Sequence, residues 1–191
     1  MNVYDWDQTI YRQDSTANFV GWLYIHRPKT LLSIPRTVGS LILYALHVFK
    51  KIEFKENLYH MFTYVKDIDR AADEFVDSHM NHVKQFYKEQ QKEDDIVISA
   101  SPEFTIGRFC KRLGIKRYMA THVDPATGKH LGDNCHGAEK VRRFREKYGN
   151  AKIDNFYSDS LHDTPLAMEA EHAWLVKGDK IEPWPEQKEK A

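Results

Sequence analysis

Apolar side chains fall at two different periods along this chain, and the change of period divides it. From Asp67 to Gln90 the apolar positions Ile68, Ala71, Ala72, Phe75, Val76, His79, Met80, Val83 and Tyr87 recur at helical spacing, with charges between them. This is the clearest of several helices expected from about Ser15 to Gln91, the earlier ones broken by Pro28 and Pro35. After the acidic cluster Glu93-Asp94-Asp95, Ile96-Val97-Ile98 is a β-branched run that reads as a buried strand. Ser101 and Pro102 then predict the start of a helix whose buried stripe is Ile106, Phe109, Cys110 and Leu113, stopped by Gly114. Arg117 to Val123 is extended, and Asp124 to Gly128 is a turn. Gly137 to Tyr148 is a helix with Val141, Phe144 and Tyr148 inward, and Gly149 stops it. Ile153 to Tyr157 is a strand, Thr164 to Ala170 a short helix, and Ala173 to Val176 another strand.

Alternating strands and helices in the second half predict a parallel sheet covered by helices. Val3-Tyr4 opens the chain as a further strand, so the helical block before Ile96 is an insertion. The expected division is a core of residues 1–14 and 92–191 with a helical cap of residues 15–91. In such sheets ligands sit beyond the carboxyl ends of the strands. Asp5 and Asp7, Ser99 and Asp159 all follow such ends.

A chain of 191 residues with 41% hydrophobic and 29% charged positions is globular. Its net charge of zero argues against nucleic acid as the partner. Cys110 and Cys135 offer neither zinc spacing nor a disulfide framework, which places the protein in a reducing cytoplasm. Asp5 and Asp7 interrupt the position where the apolar stretch of a secretory signal would lie. The tail from Glu186 to Ala191 is polar.

Charge is uneven, however. Between Phe19 and Lys55 there are six basic residues (Arg27, Lys29, Arg36, Lys50, Lys51, Lys55) and one acid, Glu53, giving net +5 and leaving −5 for the remainder. Within that segment Thr37 to Phe49 is uncharged and mostly apolar, but a bilayer span takes about 20 residues. Two readings follow: a cap helix packed on its neighbours, or a surface that makes peripheral contact with an anionic membrane.

The candidate chemistry begins with Asp5-Trp6-Asp7-Gln8-Thr9. Two carboxylates one residue apart at a strand end repel each other unless a cation or a proton intervenes. Such a pair suits a divalent metal, a nucleophile and an acid/base group. Three further pieces follow: Ser99 after Val97-Ile98, Lys140 in Gly137-Ala-Glu-Lys140, and Ser158-Asp159-Ser160-x-x-Asp163.

As a set, these pieces resemble the four ordered motifs of the haloacid dehalogenase superfamily. The helical insertion, Ser99-Ala-Ser-Pro-Glu103 and Tyr157-Ser-Asp-Ser-x-x-Asp-x-Pro-Leu166 are similar to its phosphoserine-phosphatase-like branch. The resemblance implies an α/β fold with a Rossmann-like parallel sheet and an inserted all-helical C1 cap. It also implies a Mg²⁺-dependent phosphatase in which Asp5 forms an aspartyl-phosphate and Asp7 serves as acid and base. The metal would be held by the Asp5 carboxylate, the Asp7 main-chain carbonyl and Asp159. Phosphate would be bound around Trp6, Thr9, Ser99, Ala100 and Lys140, with Asp163 orienting Lys140 or a metal-bound water. Thr9 would brace the loop. Gln8 departs from the Gly or Ser common at its position.

Asp14 is read equally as a substrate-selecting acid and as an N-cap of the first insertion helix. Lys140 taken alone would be an exposed helix lysine, and Asp159 or Asp163 could cap the helix at Thr164. The expected substrate is a small phosphorylated metabolite, phosphoserine-like. The alternatives are a phospholipid-headgroup phosphatase at the membrane surface, similar to enzymes acting on phosphatidylglycerophosphate, and a non-catalytic phosphate- or metal-binding protein.

Overall fold

The first strand, β1 (Asn2–Tyr4), is only three residues long, and both of its sheet neighbours come from far along the chain. The computed structural model describes residues 1–185, so the polar tail at Glu186 to Ala191 lies outside the described residues. After β1 come α1 (Ser15–His26), α2 (Ile34–Ala45), α3 (Lys51–Tyr59), α4 (Ile68–His79) and α5 (Gln85–Gln90), with short 3₁₀ turns between several of them. The second half runs β2 (Ile96–Pro102), α6 (Glu103–Leu113), β3 (Arg117–Thr121), α7 (Ala138–Tyr148), β4 (Ile153–Ser158), α8 (Thr164–Ala167), β5 (Ala170–Lys177) and β6 (Lys180–Pro183).

The sheet order is β3-β2-β1-β4-β5-β6. All pairs are parallel except β5 with β6, a hairpin turned by Gly178 that the sequence pattern did not predict. Side chains alternate across the sheet, as the pleat requires. Tyr4 and Val97 join one buried cluster, with Phe19, Phe75, Val76, Ile106 and Phe109. Val3, Ile96 and Ile98 join the other, with Phe144, Phe156 and Leu166. The first cluster therefore spans both the sheet and the inserted helices.

The helix expected from Asp67 to Gln90 is interrupted. It ends at His79, passes through a 3₁₀ turn, and resumes only at Gln85. The reason is tertiary: Val83 bridges to Tyr11, the Arg12 N–H donates to the His82 carbonyl, and the Lys84 N–H donates to the Ile10 carbonyl. A second correction falls at Ser101, which remains in β2 instead of capping α6. The short helix expected to reach Ala170 stops at Ala167, and Ala170 already belongs to β5.

The apolar stretch of α2 and the turn after it leaves most of its large side chains exposed. Val38, Leu41, Ile42, Leu46 and Val48 are each 49–66% exposed, while the small polar residues Ser33 and Ser40 are buried. Among the described residues no helix is long and apolar enough to cross a membrane.

Candidate active site

Asp5 continues the β1 ladder by one residue. Tyr4 stands level with Tyr157 on β4, and the Asp5 N–H donates to the Tyr157 carbonyl at 2.8 Å. The Asp5 side chain thus emerges beside Ser158 and Asp159, where β4 ends. From the other side comes Lys140, in the first turn of α7, which follows its N-cap Gly137 (φ +59°). Its Nζ donates to Asp5 Oδ1 and to Asp163 Oδ2, both at 2.6 Å, and the Ser158 hydroxyl donates to the same Asp163 oxygen at 2.8 Å. Lys140 is 2% exposed, so it is no surface lysine. Asp163 makes no side-chain cap to α8; its carboxylate is committed to Lys140.

Burial pushes the Asp5 carboxyl up, Lys140 opposes this, and Asp163 and Asp7 add to it. Burial alone would lower Lys140, but Asp5 and Asp163 outweigh it and hold the ammonium above its ordinary range. Asp159 is also raised by burial, and its carboxyl lies within hydrogen-bonding reach of Asp5. Two carboxyl groups that close require a proton or a cation between them.

Asp7 turns to a different set of partners. One carboxylate oxygen accepts from the Ser15 N–H at 2.6 Å and the Ser15 hydroxyl at 2.5 Å; the other accepts from the Ser101 hydroxyl at 2.5 Å. Burial, and then Asp14, raise its pKa against those hydrogen bonds. Asp14 caps α1, accepting from the Ala17 N–H at 2.8 Å, and also lines the cavity.

These groups floor a cavity of about 400 Å³. Asp5, Asp7, Asp14, Ala100, Lys140, Asp159 and Asp163 all line it, as sequence reasoning expected of site residues. Trp6, Thr9 and Ser99 do not. The Trp6 indole is buried between Tyr11 and Phe109. The Thr9 hydroxyl is buried without a partner, so it does not brace the loop by a hydrogen bond. Ser99 is fully buried; its hydroxyl accepts from the Ser101 N–H at 3.0 Å and reaches Asp7 only at 3.5 Å. The pairing of β2 with β3 is irregular between Ile98 and Pro102, and it is Ser101 that faces the cavity.

Sequence reasoning also missed two lysines. Lys55 on α3 reaches across the cavity mouth to the Ala100 carbonyl at 3.1 Å and Asn134 Oδ1 at 3.3 Å. Lys84, buried, donates to the Gln8 and Gly178 carbonyls at 2.6 Å each. Only their positive charge was visible in sequence, and both contacts are long-range.

Among the described residues no three His, Cys, Asp or Glu side chains gather closely enough to hold an ion by themselves.

The chain belongs to the haloacid dehalogenase-like hydrolases, whose family model matches residues 3–168. It is 32% identical over 94 residues to a probable phosphatase of Mycobacterium tuberculosis; the match covers 46% of this chain and 33% of that protein. A solved protein of unknown function from Bordetella pertussis has the same fold (TM-score 0.74, 16% identity, 100% of this chain and 93% of that one). A phosphoserine phosphohydrolase-like protein from Francisella tularensis superimposes with a TM-score of 0.53 at 17% identity, over 91% of this chain and 86% of that one.

Proposed function

We propose that this hydrolase is a Mg²⁺-dependent phosphatase that cleaves phosphate monoesters through an aspartyl-phosphate on Asp5. The observation that carries this reading is the Asp5 carboxylate held between Lys140 and Asp159 at the floor of the cavity, with Asp7 alongside. The adjoining Asp5 and Asp159 carboxyl groups fit a hard divalent cation, which prefers oxygen ligands and retains waters. Asp5, Asp159 and the Asp7 carbonyl would hold it. When bound, Mg²⁺ supplies positive charge to the phosphoryl oxygens.

The rest follows from the chain's own groups. An Asp5 oxygen attacks phosphorus as the ester P–O bond breaks. Asp7, whose burial favours the protonated form, gives its proton to the departing alkoxide. The same carboxylate then takes a proton from the water that cleaves the acyl phosphate, returning Asp5 and releasing inorganic phosphate. Lys140 neutralises charge on Asp5 and the phosphoryl group, and Asp163 fixes its ammonium. Ser101 and Ser15 orient Asp7.

Residues 15–91 act as the cap, with α3 closing over the site and selecting the leaving group. Tyr44, Phe54 and Leu58 give the cavity apolar lining, with Lys51 and Lys55 beside Phe54 and Leu58 on the same face of α3. The volume suits a small phosphorylated metabolite, the phosphoserine-like class expected from sequence. The membrane-surface reading is favoured by a separate observation, the outward apolar face of α2. Free, buried Cys110 and Cys135 fit a cytoplasmic setting.

The test is turnover of p-nitrophenyl phosphate with Mg²⁺. EDTA abolishes it, and Asp5→Asn removes it while circular dichroism stays native. Activity surviving in Asp5→Asn overturns the assignment of the nucleophile, and an inert wild type leaves a non-catalytic binding protein.

A further inference from the structure

Helix α2 is folded inside out. Ile34, Val38, Leu41, Ile42 and Ala45 recur at helical spacing and all face solvent. The side turned to the protein carries Ser33 and Ser40, whose hydroxyls donate to the Thr30 and Thr37 carbonyls of their own segment. Of the fourteen large apolar side chains exposed among the described residues, ten lie between Ile25 and Val48, so the exposure is concentrated in this one segment. A soluble monomer gains nothing from such a face, and patches of this kind mark interaction surfaces.

The rim of the patch identifies what covers it. Lys29, Arg36, Lys50 and Lys51 are exposed around it, and among the described residues none of them pairs with a carboxylate. They belong to the segment of net +5, while the remainder of the chain is −5. An anionic surface therefore attracts this end and repels the other. A second copy docked by a two-fold axis would set basic rim against basic rim. We propose that the outer face of α2 and the apolar tip that follows it dock on an anionic lipid bilayer, lying in its interface without crossing it. Tyr44 belongs both to the exposed patch and to the cavity wall. Docking would then present the cavity to phosphomonoesters anchored in that bilayer, a consequence that rests on the phosphatase reading above.

Co-sedimentation with vesicles tests this, using phosphatidylcholine alone or mixed with phosphatidylglycerol. At low salt the protein binds the mixed vesicles at least about tenfold more tightly, and added salt weakens the binding. The variant Val38→Gln/Leu41→Gln/Ile42→Gln loses about tenfold or more of that binding, because it removes apolar area from the docking face. It keeps p-nitrophenyl phosphate turnover, since these side chains lie outside the cavity. The proposal is overturned if wild type stays in the supernatant with both vesicles, or if the triple variant binds as well as wild type. It is equally overturned if size exclusion gives a dimer that this variant dissociates. Wild type that turns over p-nitrophenyl phosphate but leaves both vesicles unbound defeats the docking surface alone; wild type that binds the mixed vesicles without turnover defeats the phosphatase alone.

Discussion

Gln8 sits just past the two aspartates with φ +57°, in the left-handed region that disfavours a residue with a Cβ. The loop bears that strain because its polar groups are held: the Gln8 N–H donates to the Gln13 carbonyl at 3.0 Å, and Lys84 grips the Gln8 carbonyl at 2.6 Å. Lys84→Met should therefore lower kcat/KM by about tenfold to a hundredfold through a misplaced Asp7, with native circular dichroism. Gln8→Gly should raise stability to urea by up to about 1 kcal/mol, the relief of its backbone strain. At this scale Asp5, Asp7 and Asp159 could be placed past strand ends from the sequence, whereas Lys140 and Asp163 were singled out only by the resemblance to the family's ordered motifs. Ser101 was reached by neither route. Pro102 beside it made a helix cap the natural reading, and the irregular pairing of β2 is a property of the sheet. Lys84 acts on a loop 76 residues away, and no local pattern encodes such a contact.

Elements were legible where one buried face dictated their period, as in α4, α6 and α7, and illegible where a distant backbone intervened. The break after His79 exists because Val83 and Lys84 pair with the loop after Asp7. A helix there would leave those backbone groups unpaired. Helix α3 carries the same lesson into function, since Lys55 links it to the Ala100 carbonyl in β2. Burial, then the neighbouring Lys51, lower the Lys55 ammonium from 10.5 to about 8, with Asp14 and Asp7 opposing. In the free protein the charge is present below that value and lost as pH rises through it. On the phosphatase reading kcat/KM should therefore fall above about pH 8 as a cation facing the phosphate dianion disappears. A Lys55→Met variant should start lower and lack that limb, which a pH profile with p-nitrophenyl phosphate resolves. Stability runs the other way. The folded state sheds this proton before the unfolded chain does, so the Lys55 contribution to stability rises between about 8 and 10.5.

For the whole molecule, an inserted block of helices invites the expectation of a cap that folds on its own. The packing argues against that. Phe19, Phe75 and Val76 from the insertion share one buried cluster with Tyr4 and Trp6 from the first strand and its loop, and with Ile106 and Phe109 from α6. Charged pairs extend the join at the surface, where Arg108 and Arg112 on α6 meet Asp69, Asp73 and Asp77 on α4. Those exposed pairs add little each; the buried rings carry the coupling. Opposite, Gly128 (φ +73°) approaches the Tyr59 backbone so closely that a Cβ would lie 2.3 Å from the carbonyl oxygen, so the loop after β3 is fitted to the end of α3. Thermal unfolding should accordingly show one transition for the insertion and the sheet together. Phe75→Ala removes a ring at the centre of the shared cluster and should cost about 3–5 kcal/mol. At about 2–4 °C per kcal/mol for a chain of this size, the single midpoint should fall by roughly 10 °C. A calorimetric trace that splits into two peaks, with only one moved by Phe75→Ala, would show instead that the cap unfolds apart from the sheet.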